Sequence, residues 1–339
     1  MTIKDIARES GYAVGTVSRV LNNRPDVSET AREKIMEVVK KYNFQLNSNA
    51  KHLKQQASDG ISIIVKGSQN MLFAAILEQM QGHIEQKGLS SHIHYISEME
   101  DEVEHALQLC RERHPLGILF LGSDLELFRK RFAQVSVPCV LVTNSAEELG
   151  FANLSSITTD DEAGAQAAVE YLLKLGHTRI GILGGLMEKS KPAATRYIGC
   201  EKAFEVHKIP FRPNQQYEAA LFSMSEGYQA MERLLSRMPD LTAVFAMSDV
   251  MAVGAIRAIF DRGLRVPEDI SIVGFDGIDL GSYLTPKLTT IRQDREQIAD
   301  RSVEILLANI GKEGNTVHEV VPFHIISGES VRKLSAGVS

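Results

Sequence analysis

From about residue 60 onward, the chain alternates between two hydrophobic patterns. Short runs of β-branched and other apolar residues predict strands: ISIIV (61–65), HIHYI (92–96), GILFL (117–121), CVLV (139–142), RIGIL (179–183), AVFAM (243–247) and ISIVGF (270–275). Between them, apolar residues at helical spacing predict helices over 71–87, 160–175, 225–236 and 249–260. This alternation indicates parallel sheets covered by helices on both faces. The length of the region predicts two such lobes, with a ligand cleft between them at the carboxyl ends of the strands.

The first 46 residues carry a different pattern, that of three short helices. Thr2 and Asp5 have the spacing of a capping box, and Gly11 marks the end of the first helix. The second helix is predicted from about Val14 to Leu21, and the third follows Ser28, a good N-cap. Apolar residues at helical spacing are predicted to form a small core: Ile3, Ile6, Ala7, Val17, Val20, Leu21, Ile35, Val38, Val39 and Tyr42.

The outward face of the second helix is polar and basic. Arg19 can donate two hydrogen bonds to a guanine, and Ser18 and Asn22 can bond bases or phosphates. Thr16, and Thr2 at the start of the first helix, can bind phosphate through hydroxyls and helix-start amides. The pattern alone fits two interpretations equally: a DNA-reading helix-turn-helix, and an ordinary three-helix bundle with a solvated polar face.

The acidic total charge does not exclude a DNA-binding module. The whole chain has a net charge of −6, but residues 1–56 contain ten basic and six acidic residues, a charge of +4, which leaves −10 for the rest. DNA affinity comes from local phosphate contacts, and the charge of a distant body is screened within about 10 Å. A basic module attached to an acidic body is therefore compatible with DNA binding.

The segments TIKDIARESG, GTVSRVLNN and VSETAREKI resemble the N-terminal signature of the LacI/GalR family of bacterial transcription regulators. The resemblance implies a DNA-binding headpiece over residues 1–46. Val14 and Gly15 occupy the positions that begin the family's recognition helix and largely select the operator, and Ala13 stands where the family usually has a Ser cap. The DNA contacts implied in the headpiece are Thr2, Ile3, Val14, Gly15, Thr16, Ser18, Arg19, Asn22 and Ser28.

Residues 47–58 contain the polar, basic stretch NSNAKHLKQQA, in which Leu53 is the one large apolar side chain. Composition alone is typical of a flexible linker. The family resemblance implies a hinge helix that folds on DNA and inserts Leu53 into the minor groove, where an apolar wedge kinks the duplex. The implied flanking contacts are Asn47, Ala50, Lys51 and Lys54. Leu46-Asn47 replaces the family's usual Pro-Asn at the start of this segment.

The resemblance continues through the body in YLLKLGHTRIGILGG, AVFAMSDVMAVGAIRAI, GLRVPEDISIVGFDGI and LTTIRQD. It implies the two-lobed, type I periplasmic-binding-protein fold over residues 59–339. The expected N-lobe comprises about 59–157 and 291–322, and the expected C-lobe comprises about 158–290 and 323–334. The cleft between the lobes is expected to bind a small effector such as a sugar or a related metabolite.

The implied effector contacts come from both lobes. They are Asn70 and Phe73 in the N-lobe, together with Arg196, Phe222, Ser248 and Asp276 in the C-lobe. Lys66 and Arg295 occupy positions where many family members lack a cation. One interpretation is that Lys66, Arg295 and Arg196 form a cationic pocket for an anionic effector. The alternative is that Lys66 and Arg295 are rim charges that pair with the acidic surface.

Several other classes of protein are disfavoured. No run approaches the roughly 18 apolar residues that cross a membrane, and the N-terminus does not resemble an export signal. Three scattered cysteines fit a reducing cytosol, and neither cofactor nor metal-binding nor catalytic motifs are found. Asp160 and Asp161 are predicted to cap a helix start.

We therefore expect a cytoplasmic, non-enzymatic transcriptional regulator. It is expected to be a repressor that binds palindromic double-stranded DNA as a homodimer, because family members take one half-site per protomer. A small effector would act allosterically, as inducer or corepressor. The alternative is a sugar-binding receptor of a transport system, which the body alone would fit.

Overall fold

The computed structural model describes residues 3–21, 27–42, 60–67, 70–312 and 316–334, with the side chains of residues 3, 4 and 18 excepted. The chain divides into two compact units, Met1–Ala57 and Ser58–Ser339, and each is treated by itself.

The first unit contains three helices around a small apolar core. They are α1 (Ile3–Ser10), α2 (Val14–Leu21) and α3 (Glu29–Lys41). Ile6, Val17 and Ile35 are fully buried, and Ala7 and Val20 pack beside them. Fully burying an aliphatic side chain contributes about 1.5–3 kcal/mol. With so few buried side chains, each one is a large share of this unit's stability.

The turn between α1 and α2 has the expected local chemistry. Gly11 ends α1 with a φ of +75°, a conformation that glycine adopts without strain, and its N–H donates to the Ala7 carbonyl at 3.0 Å. At the start of α2 the Ala13 carbonyl accepts from the N–H groups of Thr16 and Val17. These are the ordinary first backbone bonds of a helix, and the alanine side chain adds no acceptor that could cap an N–H of the first turn.

One detail of the predicted headpiece is wrong, and another is confirmed in position but not in its side-chain bond. Tyr42 was expected in the core but is 41% exposed, and its hydroxyl donates to Glu9 Oε2 at 3.2 Å. It lies beyond the last residue of α3, where the helical periodicity no longer applies. Ser28 is at the N-cap of α3, but its side chain makes no capping bond and lies 3.4 Å from the Thr30 hydroxyl.

The second unit contains two six-stranded sheets. The first has the order β11-β5-β4-β3-β1-β2 and the second has the order β12-β10-β9-β8-β6-β7. All neighbouring strands are parallel except β10 and β12. The strands are β1 (Gly60–Lys66), β2 (Ser90–Ile96), β3 (Gly117–Leu121), β4 (Cys139–Val142), β5 (Leu154–Thr159), β6 (Ile180–Gly184), β7 (Tyr217–Ala219), β8 (Ala243–Ala246), β9 (Ser271–Asp276), β10 (Thr289–Gln293), β11 (His318–Val321) and β12 (Phe323–Ile326).

Helices cover both sheets, as the alternating pattern predicts. They are α4 (Met71–Gln86), α5 (Glu102–Glu112), α6 (Leu125–Arg131), α7 (Asp161–Lys174), α8 (Lys191–Val206), α9 (Pro213–Gln216), α10 (Met224–Arg237), α11 (Asp249–Asp261) and α12 (Arg295–Asn309). Apolar side chains fill four buried clusters, one on each face of each sheet. No helix in the described ranges combines the length and hydropathy of a bilayer span.

The chain passes between the two sheets three times, after β5, after β10 and after β11. The predicted lobe boundaries at 157/158 and 290/291 fall inside β5 and β10, so the passages lie two or three residues later in the chain. Both strands are rich in hydroxyl residues (LSSITT and TTIRQ), and their pattern does not show that they are buried. Hydrogen bonds allow this burial: Ser155 Oγ, for example, accepts from the Val317 N–H at 3.1 Å.

Candidate functional site

The first candidate site is the outward face of α2. Val14 is 41% exposed, Gly15 and Arg19 are exposed, and Thr16 is half-buried. A Cβ added at Gly15 would meet nothing within 4 Å, so no packing within the described residues requires glycine there. Glycine inside a helix costs about 1 kcal/mol relative to alanine. The absence of a side chain at Gly15 is therefore consistent with close approach of another molecule to the backbone of α2.

The remaining predicted DNA contacts are only partly described. Ser28 is exposed at the start of α3. Ile3 and Ser18 lie in α1 and α2, but their side chains are outside the described residues. The other predicted contacts, Thr2, Asn22, Asn47, Ala50, Lys51, Leu53 and Lys54, also lie outside the described residues.

The second candidate site is a cavity of about 360 Å³ between the two sheets of the body. It is lined from both lobes and lies at the carboxyl ends of the strands, as the fold predicts. The structure brings seven predicted effector contacts together in its wall: Lys66, Asn70, Phe73, Arg196, Phe222, Ser248 and Asp276. Its volume is near the lower end of the roughly 300–1,000 Å³ typical of small-molecule sites.

Two aromatic rings line the cavity, one from each lobe, and glycines make room for them. Phe73, from α4, lies against Gly122, where an added Cβ would come within 2.8 Å of the ring. Phe222 lies in the same way against Gly185, again at 2.8 Å. Both glycines directly follow a strand, so each ring rests on backbone at the carboxyl end of a sheet. Such rings suit the C–H face of a ring-shaped ligand.

Arg196 is the buried cation of the C-lobe wall. Its Nε donates to Asp161 Oδ1 at 2.7 Å, its Nη1 donates to the Met247 carbonyl at 2.5 Å, and its guanidinium lies 3.7 Å from the centroid of the Phe275 ring. These contacts fix the plane of the guanidinium, which suits a group that donates directional hydrogen bonds. Asp160 caps α7, as predicted, by accepting from the Ala163 N–H at 2.9 Å. Asp161 was expected to have the same role but is instead the partner of Arg196.

Asp276 lies at the carboxyl end of β9 and is 4% exposed. Its φ is +117°, a strained value for a residue with a side chain, and such strain is often found at functional sites. Its Oδ1 accepts from Gln293 Nε2 at 2.8 Å, and Gln293 Oε1 accepts from the Thr159 hydroxyl at 2.9 Å. Burial raises the pKa of Asp276 to about 7, although Arg196, 3.9 Å away, opposes the rise.

Asp249 is a second carboxyl group behind the wall. It is fully buried and accepts from the Thr290 hydroxyl at 2.6 Å and from the Ile278 N–H at 2.8 Å. Burial, reinforced by the nearby Asp276, raises the pKa of Asp249. Asp249 therefore ties α11 to the segment that follows β9 and supports the loop carrying Asp276.

Two of the predicted polar contacts serve as helix caps. The Asn70 side-chain oxygen accepts from the Leu72 N–H at 3.0 Å, and Ser248 Oγ accepts from the Met251 N–H at 3.3 Å. Both residues line the cavity, so the amide group of Asn70 and the hydroxyl hydrogen of Ser248 are the atoms they could still offer to a ligand.

Lys66 reaches the wall from the end of β1 and is held by a carboxylate. Its Nζ lies 2.5 Å from Glu102 Oε2, and Glu102 also accepts from the Asp124 N–H at 2.5 Å. Glu102 is fully buried, and this burial raises its pKa. Arg295 is not among the described residues that line the cavity; it pairs with Asp279 at 3.0 Å. The position of Arg295 fits a rim charge better than a pocket cation.

Sequence reasoning did not identify three of the residues that organise this site. Asp161, Glu102 and Gln293 all make buried or partly buried hydrogen bonds to predicted contact residues. Gln293 belongs to the segment LTTIRQD, whose resemblance to the family indicates the fold but not a contact residue. Asp161 and Glu102 each lie at the N-terminus of a helix, where an acidic residue ordinarily indicates capping.

Two family models match parts of the chain. Residues 2–47 match the model "Bacterial regulatory proteins, lacI family", and residues 169–331 match "Periplasmic binding protein-like domain". The chain is 34% identical to the HTH-type transcriptional regulator MalR of Clostridium butyricum, an alignment covering 97% of this chain and 99% of MalR. The chain belongs to the LacI family of bacterial transcription regulators. The resemblance seen in the sequence is thereby confirmed.

A second relative and a solved structure support the same conclusion. The HTH-type transcriptional repressor PurR of Haemophilus influenzae is 32% identical over 98% of both chains. The lac repressor dimer bound to operator and the anti-inducer ONPF has a TM-score of 0.72 and 26% identity, covering 98% of this chain and 99% of that one. A CelR–cellobiose complex shares the fold, with a TM-score of 0.70 at 24% identity.

As a LacI-family member, the protein is a sequence-specific DNA-binding transcriptional regulator of the repressor type, controlled by a small-molecule effector. Its relatives are transcriptional regulators rather than enzymes. The DNA-binding region, residues 2–47, distinguishes it from the alternative of a transport receptor. Within the described ranges, no group of three or more potential metal ligands is assembled.

Proposed function

We propose that the protein represses transcription as a homodimer on a palindromic operator, and that an effector in the cavity between the lobes controls its operator affinity. It would act in the cytoplasm, where the DNA is, and without a catalytic step. The headpiece contacts would be those predicted on α1, α2 and the start of α3, and the segment around Leu53 would supply the minor-groove contact.

The observation that carries the effector proposal is the hydrogen-bonded chain Thr159–Gln293–Asp276. Thr159 ends β5 and Gln293 ends β10, so the chain joins two of the three places where the polypeptide passes between the lobes. Asp276 at its end lines the cavity. A ligand that bonds Asp276 therefore acts on the hydrogen-bonded chain that connects β5 and β10. Such a ligand would stabilise one relative arrangement of the two lobes over others.

Exposed apolar surface on the body supports the homodimer. Tyr95, Phe260 and Tyr283 are 59%, 66% and 83% exposed. A shallow apolar groove between α10 and α11 is lined in part by Met224 and Val253. Exposed apolar surface of this kind is typical of protein–protein interfaces, and a second copy would cover it.

A gel shift with DNA from upstream of the protein's own gene tests the proposal. We expect a discrete complex whose stability changes when the effector is added, and we expect Asp276→Asn to lose this response. Arg295→Ala, which removes a charge outside the cavity, is the matched control and should respond like the wild type. A sugar or related metabolite that binds the protein in calorimetry but leaves the DNA complex unchanged would contradict the effector role.

A further inference from the structure

Two consecutive glycines stand at the carboxyl end of β6, and an aromatic ring lies against each of them. A Cβ added at Gly184 would come within 2.2 Å of the Tyr217 hydroxyl oxygen and within 2.4 Å of the Tyr217 ring. A Cβ added at Gly185 would come within 2.8 Å of the Phe222 ring and within 2.7 Å of the Ala193 Cβ. Glycine in a strand often marks the close approach of another group. Here the approaching groups are two rings from the same short segment of chain.

Tyr217 also makes a hydrogen bond to this pair of glycines. The backbone bonds between β6 and the segment that follows β7 extend to Gly184, whose carbonyl accepts from the Ala220 N–H at 2.9 Å. The next carbonyl, that of Gly185, accepts from the Tyr217 hydroxyl at 2.6 Å. Burial raises the pKa of Tyr217, so the hydroxyl keeps the proton that it donates. The bond fixes the first residue of the loop 185–190, part of which lines the cavity.

The ring of Tyr217 contacts α8 as well. The Tyr217 and Tyr197 rings meet edge to face, with centroids 5.2 Å apart and planes at 86°. Tyr197 directly follows Arg196, the buried cation of the C-lobe wall. Five residues after Tyr217, the same segment of chain supplies Phe222. Three elements that carry the C-lobe wall therefore meet at Tyr217: the loop after β6, helix α8 and the segment after β7.

The strand that carries Tyr217 needs such contacts. β7 has three residues and lies at the edge of its sheet, where it pairs with β6 alone. Glu218 pairs with Arg233 and Arg237 of α10, and Arg237 donates to the Tyr217 carbonyl at 3.0 Å. These bonds attach β7 to α10. The Tyr217 hydroxyl instead attaches β7 to the loop at the cavity.

From these contacts we infer that Tyr217 is a positioning residue of the effector site. Tyr217 is not among the described residues that line the cavity. Through the Gly185 carbonyl it fixes the start of the loop 185–190 and the surface on which the Phe222 ring rests. A wall that is held in its binding arrangement before the ligand arrives binds more tightly. The inference rests on the proposed function, because it assigns Tyr217 a part in binding the effector.

A reporter at the wall tests the inference without a ligand. The chain has no tryptophan, so Phe222→Trp gives the full-length protein a single indole at the cavity. Tyr217→Phe is then added, which keeps the ring on Gly184 and removes the hydroxyl alone. We expect acrylamide quenching of the indole to rise by about twofold or more, because the backbone under the indole loses its bond and populates other arrangements.

Two further variants control this measurement. Tyr171→Phe is the matched control, because Tyr171 packs against the same apolar cluster but its hydroxyl lies 3.4 Å from Ser327 Oγ, and it should leave the quenching unchanged. Gly184→Ala places a Cβ where the Tyr217 hydroxyl lies, and it should raise the quenching as Tyr217→Phe does. Quenching is measured where denaturant unfolding shows each variant to be fully folded, so lower stability alone does not change it. Equal quenching in Tyr217→Phe and Tyr171→Phe would overturn the inference.

Calorimetry tests the consequence for binding in proteins that retain Phe222, with glucose, galactose and ribose as probes. For any of these sugars that binds the wild type, Tyr217→Phe should weaken the affinity by about fivefold, the effect of one buried hydrogen bond on an equilibrium. Tyr171→Phe should bind like the wild type. An affinity that Tyr217→Phe leaves unchanged would overturn the inference. The reporter decides the inference if none of the three sugars binds.

Failure of the inference and failure of the proposed function give different results. If Tyr217→Phe raises the quenching and weakens sugar binding, but the bound sugar leaves operator affinity unchanged, the positioning role is supported and the effector role is contradicted. If a sugar alters operator affinity equally in the wild type and in Tyr217→Phe, with equal quenching, the effector role is supported and the positioning role is contradicted.

Discussion

Replacing Asp276 by asparagine separates the stability of this protein from its function. The substitution preserves the shape of the side chain, and an asparagine oxygen can still accept from Gln293, which lies 2.8 Å from Oδ1 in the wild type. What it removes is a charge in a place that is only 4% exposed. It also removes the acceptor that we assign to the effector.

The expected gain in stability follows from the raised pKa of Asp276. Burial raises this pKa from an ordinary value of 3.8 to about 7. The folded state therefore retains a proton that the unfolded state releases, so the free energy of unfolding falls as the pH rises from about 4 to 7. A pKa difference of about three corresponds to about 4 kcal/mol. Below pH 4 both states are protonated and this effect disappears.

Denaturant unfolding of wild type and Asp276→Asn at several pH values checks this expectation. The chain has no tryptophan, so far-UV circular dichroism is the suitable signal. We expect Asp276→Asn to be more stable than the wild type by about 1–2 kcal/mol at pH 5 and by about 3–4 kcal/mol at pH 8. The nearby Asp276 charge contributes to the raised pKa of Asp249, so the difference between the two proteins reports on both carboxyl groups together. An Asn variant less stable than the wild type at pH 8, or a difference independent of pH, would refute the reasoning.

Three further predictions concern single substitutions. Ala13→Ser should stabilise the headpiece by about 1 kcal/mol, because it supplies the missing cap of α2; a thermal melt of the first unit's transition that shows no gain would count against it. Leu53→Ala should weaken binding to operator far more than to non-operator DNA, measured by fluorescence anisotropy, and equal losses on both would exclude the minor-groove wedge. Arg196→Met should lower stability by about 3–5 kcal/mol in denaturant unfolding by leaving Asp161 unpaired, and an unchanged midpoint would show that the ion pair contributes little.

The sequence was sufficient to predict the fold, because the fold depends on repeated features. Buried parallel strands such as GILFL and CVLV are apolar throughout, and all their residues are buried in the structure. The hydroxyl-rich strands β5 and β10 were not predicted, because Ser and Thr ordinarily indicate surface or loop. Their burial depends on partners that are distant in sequence, such as Val317 for Ser155.

The same distinction applies to the candidate site. Residues at strand ends, such as Asp276, could be placed in the cavity because the motifs that contain them match the family's motifs residue by residue. Asp161 and Glu102 could not, because an acidic residue at the start of a helix has an adequate local explanation in capping. Their partners Arg196 and Lys66 are 35 and 36 residues away in the chain, and only the folded structure brings them together.

The central claim is that the cavity and the operator-binding surface are coupled. The most direct measurement is a pair of affinities: operator affinity with and without a neutral sugar that binds the cavity, and sugar affinity with and without operator. Because binding linkage is reciprocal, the account predicts that both ratios differ from one and are equal, and that both return to one in Asp276→Asn. A sugar that binds the wild-type protein while both ratios remain at one would contradict the account.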